Sequence, residues 1–158
     1  MHEGAFGWSV TADNLQQLQD NLNSRYSDID MTPCYWVDYQ WNGKKLNSNT
    51  ILDIANLTIW GQNMEPSQEY VEDIKVGQDN VQLLSPDKHP TLKITCGDVS
   101  IMKFRSSQEE YEKFCQPNTY MRGIFTPNKN EWMGSVSAQL MTEDFELYQK
   151  EEPVEWIF

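Results

Sequence analysis

Residues 69–105 read EYVEDIKVGQDNVQLLSPDKHPTLKITCGDVSIMKFR, and this stretch decides the fold. Short runs of alternating apolar residues recur in it at regular spacing, which is typical of strands with one buried face. Turn signals separate the runs, namely Gly77, the pair 86–87 (Pro-Asp) and the pair 97–98 (Gly-Asp). We therefore predict four strands, over 70–76, 80–84, 92–96 and 99–105.

The residues that follow complete the pattern. A capping-box sequence at 107–110 (Ser-Gln-Glu-Glu) predicts one helix, with Tyr111, Phe114 and Cys115 on its buried side. Two further strands are predicted over 120–125 and 135–147, around a loop at 126–134. Several strands, one helix and more strands predict a half-open barrel of the OB type.

The part of the chain before residue 59 predicts a small αβ piece. Thr11 or Asp13 caps a helix with leucines at helical spacing, an aromatic strand covers 34–41, and a short helix covers about 49–57. These elements are too few to make a core alone. The predicted fold class is α+β and mainly β, with an N-terminal αβ piece at 1–58, an OB domain at 59–148 and an acidic-aromatic tail at 149–158.

Composition excludes several classes of protein. The chain has 158 residues, 39% of them hydrophobic, and no apolar run near the ~20 residues that span a bilayer. Its 24 acidic and 12 basic residues give a net charge of -12, so it should not bind polyanions indiscriminately. Three cysteines without a C-x-x-C spacing favour reduced thiols and a cytoplasmic location. We expect no membrane association.

Groups for catalysis or metal binding are scarce. The two histidines, His2 and His89, have no partner residue at i+2 or i+4, and no acidic pair lies in a ligand frame. Ser85, Asp87 and His89 could be imagined as a triad, but their segment is typical of a polar hairpin loop. We predict no catalytic residue, no metal ligand and no cofactor in this chain.

Contact with a single nucleic-acid strand is better supported. Lys93 should point away from the core, because Leu92 and Ile94 beside it point inward. Lys103 and Arg105 share a face of the next strand, so pairing of the two strands would gather three cations. An exposed Trp132 could stack on a base. The candidate DNA-binding residues from spacing are Lys93, Lys103, Arg105, Arg122, Lys129 and Trp132, although the cations could simply be solubilising and the tryptophan could be core.

Three segments, in order, resemble one family, RecJ, the single-stranded-DNA-specific exonucleases of the DHH superfamily. Residues 2–7 (His-Glu-Gly-Ala-Phe-Gly) look like the end of its G-G-H-x-x-A-x-G motif. Residues 57–66 (LTIWGQNMEP) resemble the loop that leads into its OB domain. Residues 130–134 (NEWMG), with 139–141 (QLM) and Asp144, are similar to its N-x-W-x-G…P-Q-L-x-x-x-D pattern.

The resemblance implies a C-terminal fragment of such an enzyme, or of a shorter phage-like relative. Residues 1–58 would then be the end of the DHH-associated domain, and His2, the counterpart of the motif histidine, would contact DNA. The parent would be a 5′–3′ exonuclease acting in DNA repair and recombination, with manganese or magnesium in a DHH domain that is missing here. This chain would bind single-stranded DNA and be inactive alone.

Two other hypotheses stay open from the sequence. The acidic surface and the apolar tail at 156–158 (Trp-Ile-Phe) could recruit a protein partner, which would make the chain a protein-interaction OB module. An intact metal-dependent nuclease is disfavoured, because no cluster of ligands is present.

Overall fold

A computed structural model describes residues 7, 9–30, 32, 34–41, 45–61 and 64–150. The chain divides into two compact units after Cys34. In the first unit, helix α1 (Ala12–Arg25) begins after Thr11, as predicted, and buries none of its residues. The Asn-Gly pair at 42–43, a turn signal in the sequence, and residues 151–158 of the predicted tail lie outside the described residues.

The second unit begins with two short elements. Strand β1 (Tyr39–Trp41) is shorter than the predicted strand over 34–41, because only its last three residues pair with another strand, in parallel register. Helix α2 (Ser48–Ala55) follows, and the side chain of Asn47 caps it by accepting a hydrogen bond from the Thr50 amide at 3.1 Å. Ile51 is completely buried and anchors this helix to the core.

The remaining elements confirm the predicted order of strands and helix. They are β2 (Glu69–Lys75), β3 (Val81–Leu84), β4 (Thr91–Cys96), β5 (Val99–Phe104), α3 (Gln108–Phe114), β6 (Thr119–Trp132) and β7 (Ser135–Gln149). Ser107 caps α3 by accepting a hydrogen bond from the Glu110 amide at 3.1 Å, and Phe114 is fully buried.

The strand order shows why the sheet curls into a barrel. The order is β1-β2-β6-β7-β5-β4-β3, so β2 and β3 lie five strand spacings apart, which is about 24 Å in a flat sheet. Residues 76–80 connect them in sequence, and even fully extended they reach only about 22 Å. Because this connection also contains a turn, with the Asn80 amide bonded to the Gly77 carbonyl, the two ends of the sheet must approach each other. The predicted OB-type barrel is confirmed.

The side chain of Asn80 joins the two ends of the barrel. Its amide group donates to the carbonyl of Lys75, where β2 ends, at 2.9 Å and to the carbonyl of Thr95, in β4, at 3.3 Å. Its oxygen accepts from the Gly77 amide at 3.0 Å. One side chain therefore satisfies three backbone groups at the seam.

The prediction of a loop at 126–134 is wrong. Strands β6 and β7 pair along their whole length, from Thr119 opposite Gln149 to Trp132 opposite Ser135. The segment looks like a loop because it contains Pro127 and two asparagines. Proline is tolerated there because β2 pairs with β6 only as far as Phe125, which leaves the other edge of β6 without a strand partner in the described sheet.

The barrel core is closely packed around Gly123 in β6. A Cβ atom at this position would lie 2.5 Å from the carbonyl oxygen of Asp144 and 3.0 Å from the ring of Phe125. Only glycine fits, and this allows β6 and β7 to approach at the bulge between Ile124 and Phe125.

Glu69 is an unusual member of the core because it is completely buried. The indole N–H of Trp41 donates to its Oε2 at 2.5 Å, whereas its Oε1 has no hydrogen-bond partner among the described residues. Burial raises the pKa of Glu69, the indole hydrogen bond opposes this, and the nearby charge of Asp38 adds to the rise.

Candidate nucleic-acid interface

Lys93 lies where the sequence predicts, on the outer surface of β4. Its neighbours Leu92 and Ile94 are fully buried in the core, so alternation turns the lysine outward. Lys93 is opposite Met102 of β5 in the register. It has no carboxylate partner among the described residues, and its charge is therefore available to a ligand.

Lys103 does not join Lys93, and the predicted gathering of three cations is wrong in this respect. Side chains two residues apart on a strand point to the same face, and Val99 and Ile101 of β5 point into the core. The side chain of Lys103 therefore starts on the interior side of the sheet. Its ammonium group reaches Glu110 of α3 at 2.9 Å and lies 5.3 Å from the ring centroid of Phe145.

Arg105 follows β5 with a φ of 56°, a left-handed conformation that is unfavourable for arginine. It is exposed and has no ion-pair partner among the described residues. The positive φ ends the strand alternation at Arg105. The residue lines a cavity with Lys103 and Glu110, and it also lines a separate groove.

This groove lies between the β3–β4 loop and the end of β5. It has a volume of about 900 Å³, and its lining includes Lys88, His89, Phe104 and Arg105. The amide of Ser106 donates to the carbonyl of Pro90 at 2.9 Å and holds the two walls together. The side chain of Phe104 is 57% exposed, so an aromatic face is offered beside the cations.

Sequence reasoning missed Lys88, His89 and Phe104 as members of this site. Lys88 and His89 lie in a segment whose composition indicates only a polar hairpin loop, and Phe104 looks like an ordinary strand residue. The available signal was the pairing of the strands, because Thr91 opposite Phe104 places the loop beside the end of β5.

The other predicted cations are engaged with carboxylates. Arg122 donates to Glu146 at 2.7 Å, lies over the ring of Tyr148, and has its pKa raised by the hydrogen bond to Glu146. Lys129 forms an ion pair with Glu131 at 2.7 Å. These two residues do not join the groove or Lys93.

A continuous set of outward-facing positions connects the groove with Trp132. Directly paired residues share a face, and the register gives the row Lys93–Met102–Met141 and the row Thr95–Ser100–Gln139. We call the set the acid-free face, because it contains no Asp or Glu. Its members are Gln82, Leu84, Thr91, Lys93, Thr95, Ser100, Met102, Phe104, Thr126, Asn128, Asn130, Trp132, Ser135, Ser137, Gln139 and Met141. Thr91 is buried, and at the border of the face Thr126 donates a hydrogen bond to Glu143 at 2.9 Å.

The acid-free face is about 27 Å long, counted as eight strand residues from Phe104 to the end of the β6–β7 hairpin. Trp132 lies at the far end and is 68% exposed, so it is not core. Lys88, Arg105 and the exposed ring of Phe104 lie at the groove end of the face. Lys93 lies between the two ends, and the exposed indole of Trp132 lies at the hairpin end. This arrangement suits a flexible polyanion with planar bases.

The described residues offer little for catalysis. No group of three His, Cys, Asp or Glu side chains among them could hold a metal ion. Burial raises the pKa of Cys96 to about 11, which keeps this thiol protonated at neutral pH. His2 lies outside the described residues, and none of the helices within them is long and apolar enough to cross a membrane.

One protein-family model matches more than half of the chain. The family model described as the RecJ OB domain matches residues 37–144. The chain is 23% identical over 150 residues to YorK of Bacillus subtilis (strain 168), which is named as a putative SPbeta prophage-derived single-strand DNA-specific exonuclease. The same identity is found with the yorK protein of Bacillus phage SPbeta, and in both cases the match covers 92% of this chain and 26% of the relative.

The fold is also similar to solved structures of RecJ from Thermus thermophilus. The complex with Mn²⁺ gives a TM-score of 0.57 at 12% identity, covering 94% of this chain and 21% of that one. The complex with Mg²⁺ gives 0.56 at 11% identity, covering 92% and 21%. The chain thus spans about a quarter of the length of the curated relatives that it matches.

Proposed function

The chain belongs to the RecJ OB domain family, and from this premise we propose that it forms the single-stranded-DNA-binding C-terminal region of a RecJ-type 5′–3′ exonuclease, without chemistry of its own. The parent enzyme would act in DNA repair and recombination in the cytoplasm. Its metal-dependent step, with manganese or magnesium, would belong to a DHH domain outside this chain.

One observation carries the proposal, the acid-free face in a chain of net charge -12. A polyanion would be repelled by most of such a surface, but this face removes the carboxylates along one path. The cations on the path or at its end, Lys88, Lys93 and Arg105, have no carboxylate partner among the described residues. The OB fold adds support, because the corresponding strands and loops bind oligonucleotides in other OB domains.

The surface is also suited to single strands more than to duplex. Phe104 and Trp132 expose rings on which bases can stack, and a base is free to stack only when it is not paired within a helix. His2 remains a further predicted DNA contact from the resemblance.

Fluorescence anisotropy with a labelled oligonucleotide of about 16 nucleotides tests the proposal. We expect binding that weakens with added salt and that exceeds binding to a duplex of the same length. Equal binding to duplex, or no binding at low salt, would refute a single-strand-binding role for this chain.

A protein-binding OB module is the second candidate, and a specific pocket favours it. Tyr35 and Tyr70 line a cavity of about 230 Å³ together with Asp144, Glu146 and Arg122, whose charge is paired with Glu146. The hydroxyl of Tyr35 is hydrogen bonded to Asp144, which raises the pKa of the tyrosine. Acidic and tyrosine side chains together suit a basic segment of a partner protein. Failure of the DNA titration would favour this role.

A further inference from the structure

The end of the β6–β7 hairpin projects from the barrel. Residues 130–132 and 135–137 pair with each other, and no other described strand pairs with them. This free part extends about 10 Å beyond the neighbouring strand β5. It carries Trp132 and Met133 at its end, and these side chains are 68% and 89% exposed.

The turn is built with an unfavourable residue. Met133 and Gly134 connect the strands as a two-residue loop, and their φ angles are 49° and 79°. Loops of this kind favour Asn-Gly, because the first position needs a left-handed backbone that a long side chain disfavours. Met133 also packs against little, so neither the turn nor the core requires it.

The hairpin end is electrically neutral in a strongly acidic protein. Between residues 126 and 142 the only charged side chains are Lys129 and Glu131, which are paired with each other at 2.7 Å. The face that includes Trp132 continues through Asn130 and Ser137 into the rest of the acid-free face. From the row of Ser100 and Gln139 onward, a DNA strand that follows this face therefore reaches the hairpin end along positions without Asp or Glu.

We propose that Met133 inserts between two neighbouring bases of the bound strand while Trp132 stacks on one of them. The inference rests on the proposed DNA-binding function and assigns a separate role within it. Apolar wedges of this kind, methionine included, unstack base steps in other DNA-binding proteins. Unstacking costs least in a single strand, so the wedge also disfavours duplex. The need for an apolar side chain at this position explains why an unfavourable residue occupies the turn.

Substitutions at Met133 test the proposal because they should change the melting temperature and the affinity for single-stranded DNA in different directions. Met133→Asn introduces a residue that the left-handed position favours and removes the apolar side chain, whereas Met133→Leu keeps both the strain and the apolar character. We expect the melting temperature of Met133→Asn to equal or exceed that of the wild type. Its affinity for single-stranded DNA should fall, and that of Met133→Leu should stay near wild type.

An oligonucleotide with 2-aminopurine in place of one adenine reports the unstacking itself. Emission should rise when the wild type or Met133→Leu binds, and it should not rise with Met133→Asn or Met133→Gly. If Met133→Asn binds with wild-type affinity and gives the same rise, the wedge is refuted, and the hairpin end becomes a candidate for protein contact. If the wild type itself does not bind single-stranded DNA, it is the proposed function that fails, and the wedge fails with it.

Discussion

Replacement of Lys93 by glutamine tests whether the unpaired cations hold phosphates. If Lys88, Lys93 and Arg105 each neutralise one phosphate, the logarithm of the binding constant should fall with the logarithm of salt with a slope of about -2 for a single strand. Between about 50 and 200 mM salt, the wild type would then lose about 18-fold in affinity. Removing one contact changes the slope to about -1.4 and the loss to about 7-fold.

The matched control is Lys129→Gln, which changes the net charge by the same amount. Lys129 is paired with Glu131 and lies on the opposite side of the hairpin, so its replacement should leave the slope unchanged. Anisotropy titrations over a salt series measure both variants. Equal slopes for Lys93→Gln and Lys129→Gln would contradict a phosphate path along the acid-free face.

Three further predictions concern the barrel. Gly123→Ala should lower the free energy of unfolding by about 2–3 kcal/mol, because the added carbon meets a backbone carbonyl at 2.5 Å, whereas Gly77→Ala, with nothing within 4 Å, should be near neutral in denaturant titrations. The buried carboxyl of Glu69 has a raised pKa, so its contribution to stability is fully present below its ordinary pKa of 4.5 and is lost as the pH rises through the raised value. Glu69→Gln should lose less stability than the wild type over that range, and parallel pH profiles would contradict the assignment. Asn80→Ala should cost about 2 kcal/mol, since it removes three hydrogen bonds to backbone groups at the seam, and an unchanged melting temperature would show that water replaces them.

Much of the fold can be predicted from the sequence because local rules fix it. The capping box at Ser107 and the turn signals around β4 and β5 depend on neighbours in the chain, and they place elements to within a few residues. The length of β6 could not be predicted in this way. Proline and asparagine indicate a loop, and only pairing with β7 makes their segment a strand.

The candidate site shows the same limit. Lys93 could be placed from its two apolar neighbours, but whether Lys103 joins it depends on the strand register, which is a tertiary property. The groove at Arg105 depends on a loop distant in sequence, and its φ of 56° has no local signature. Residues that depend on strand pairing were therefore missed or misplaced, whereas residues set by alternation were predicted.

The position of β7 has a consequence for synthesis of the protein. The last strand of the barrel lies in the middle of the sheet, with β6 on one side and β5 on the other. Until the ribosome has made it, β3–β4–β5 and β1–β2–β6 are two separate sheets, each with an open edge that can pair with another chain. The barrel is therefore completed only by its final segment. A product that stops before residue 138 cannot close it, and early termination in this protein should yield aggregation-prone halves instead of a smaller working domain.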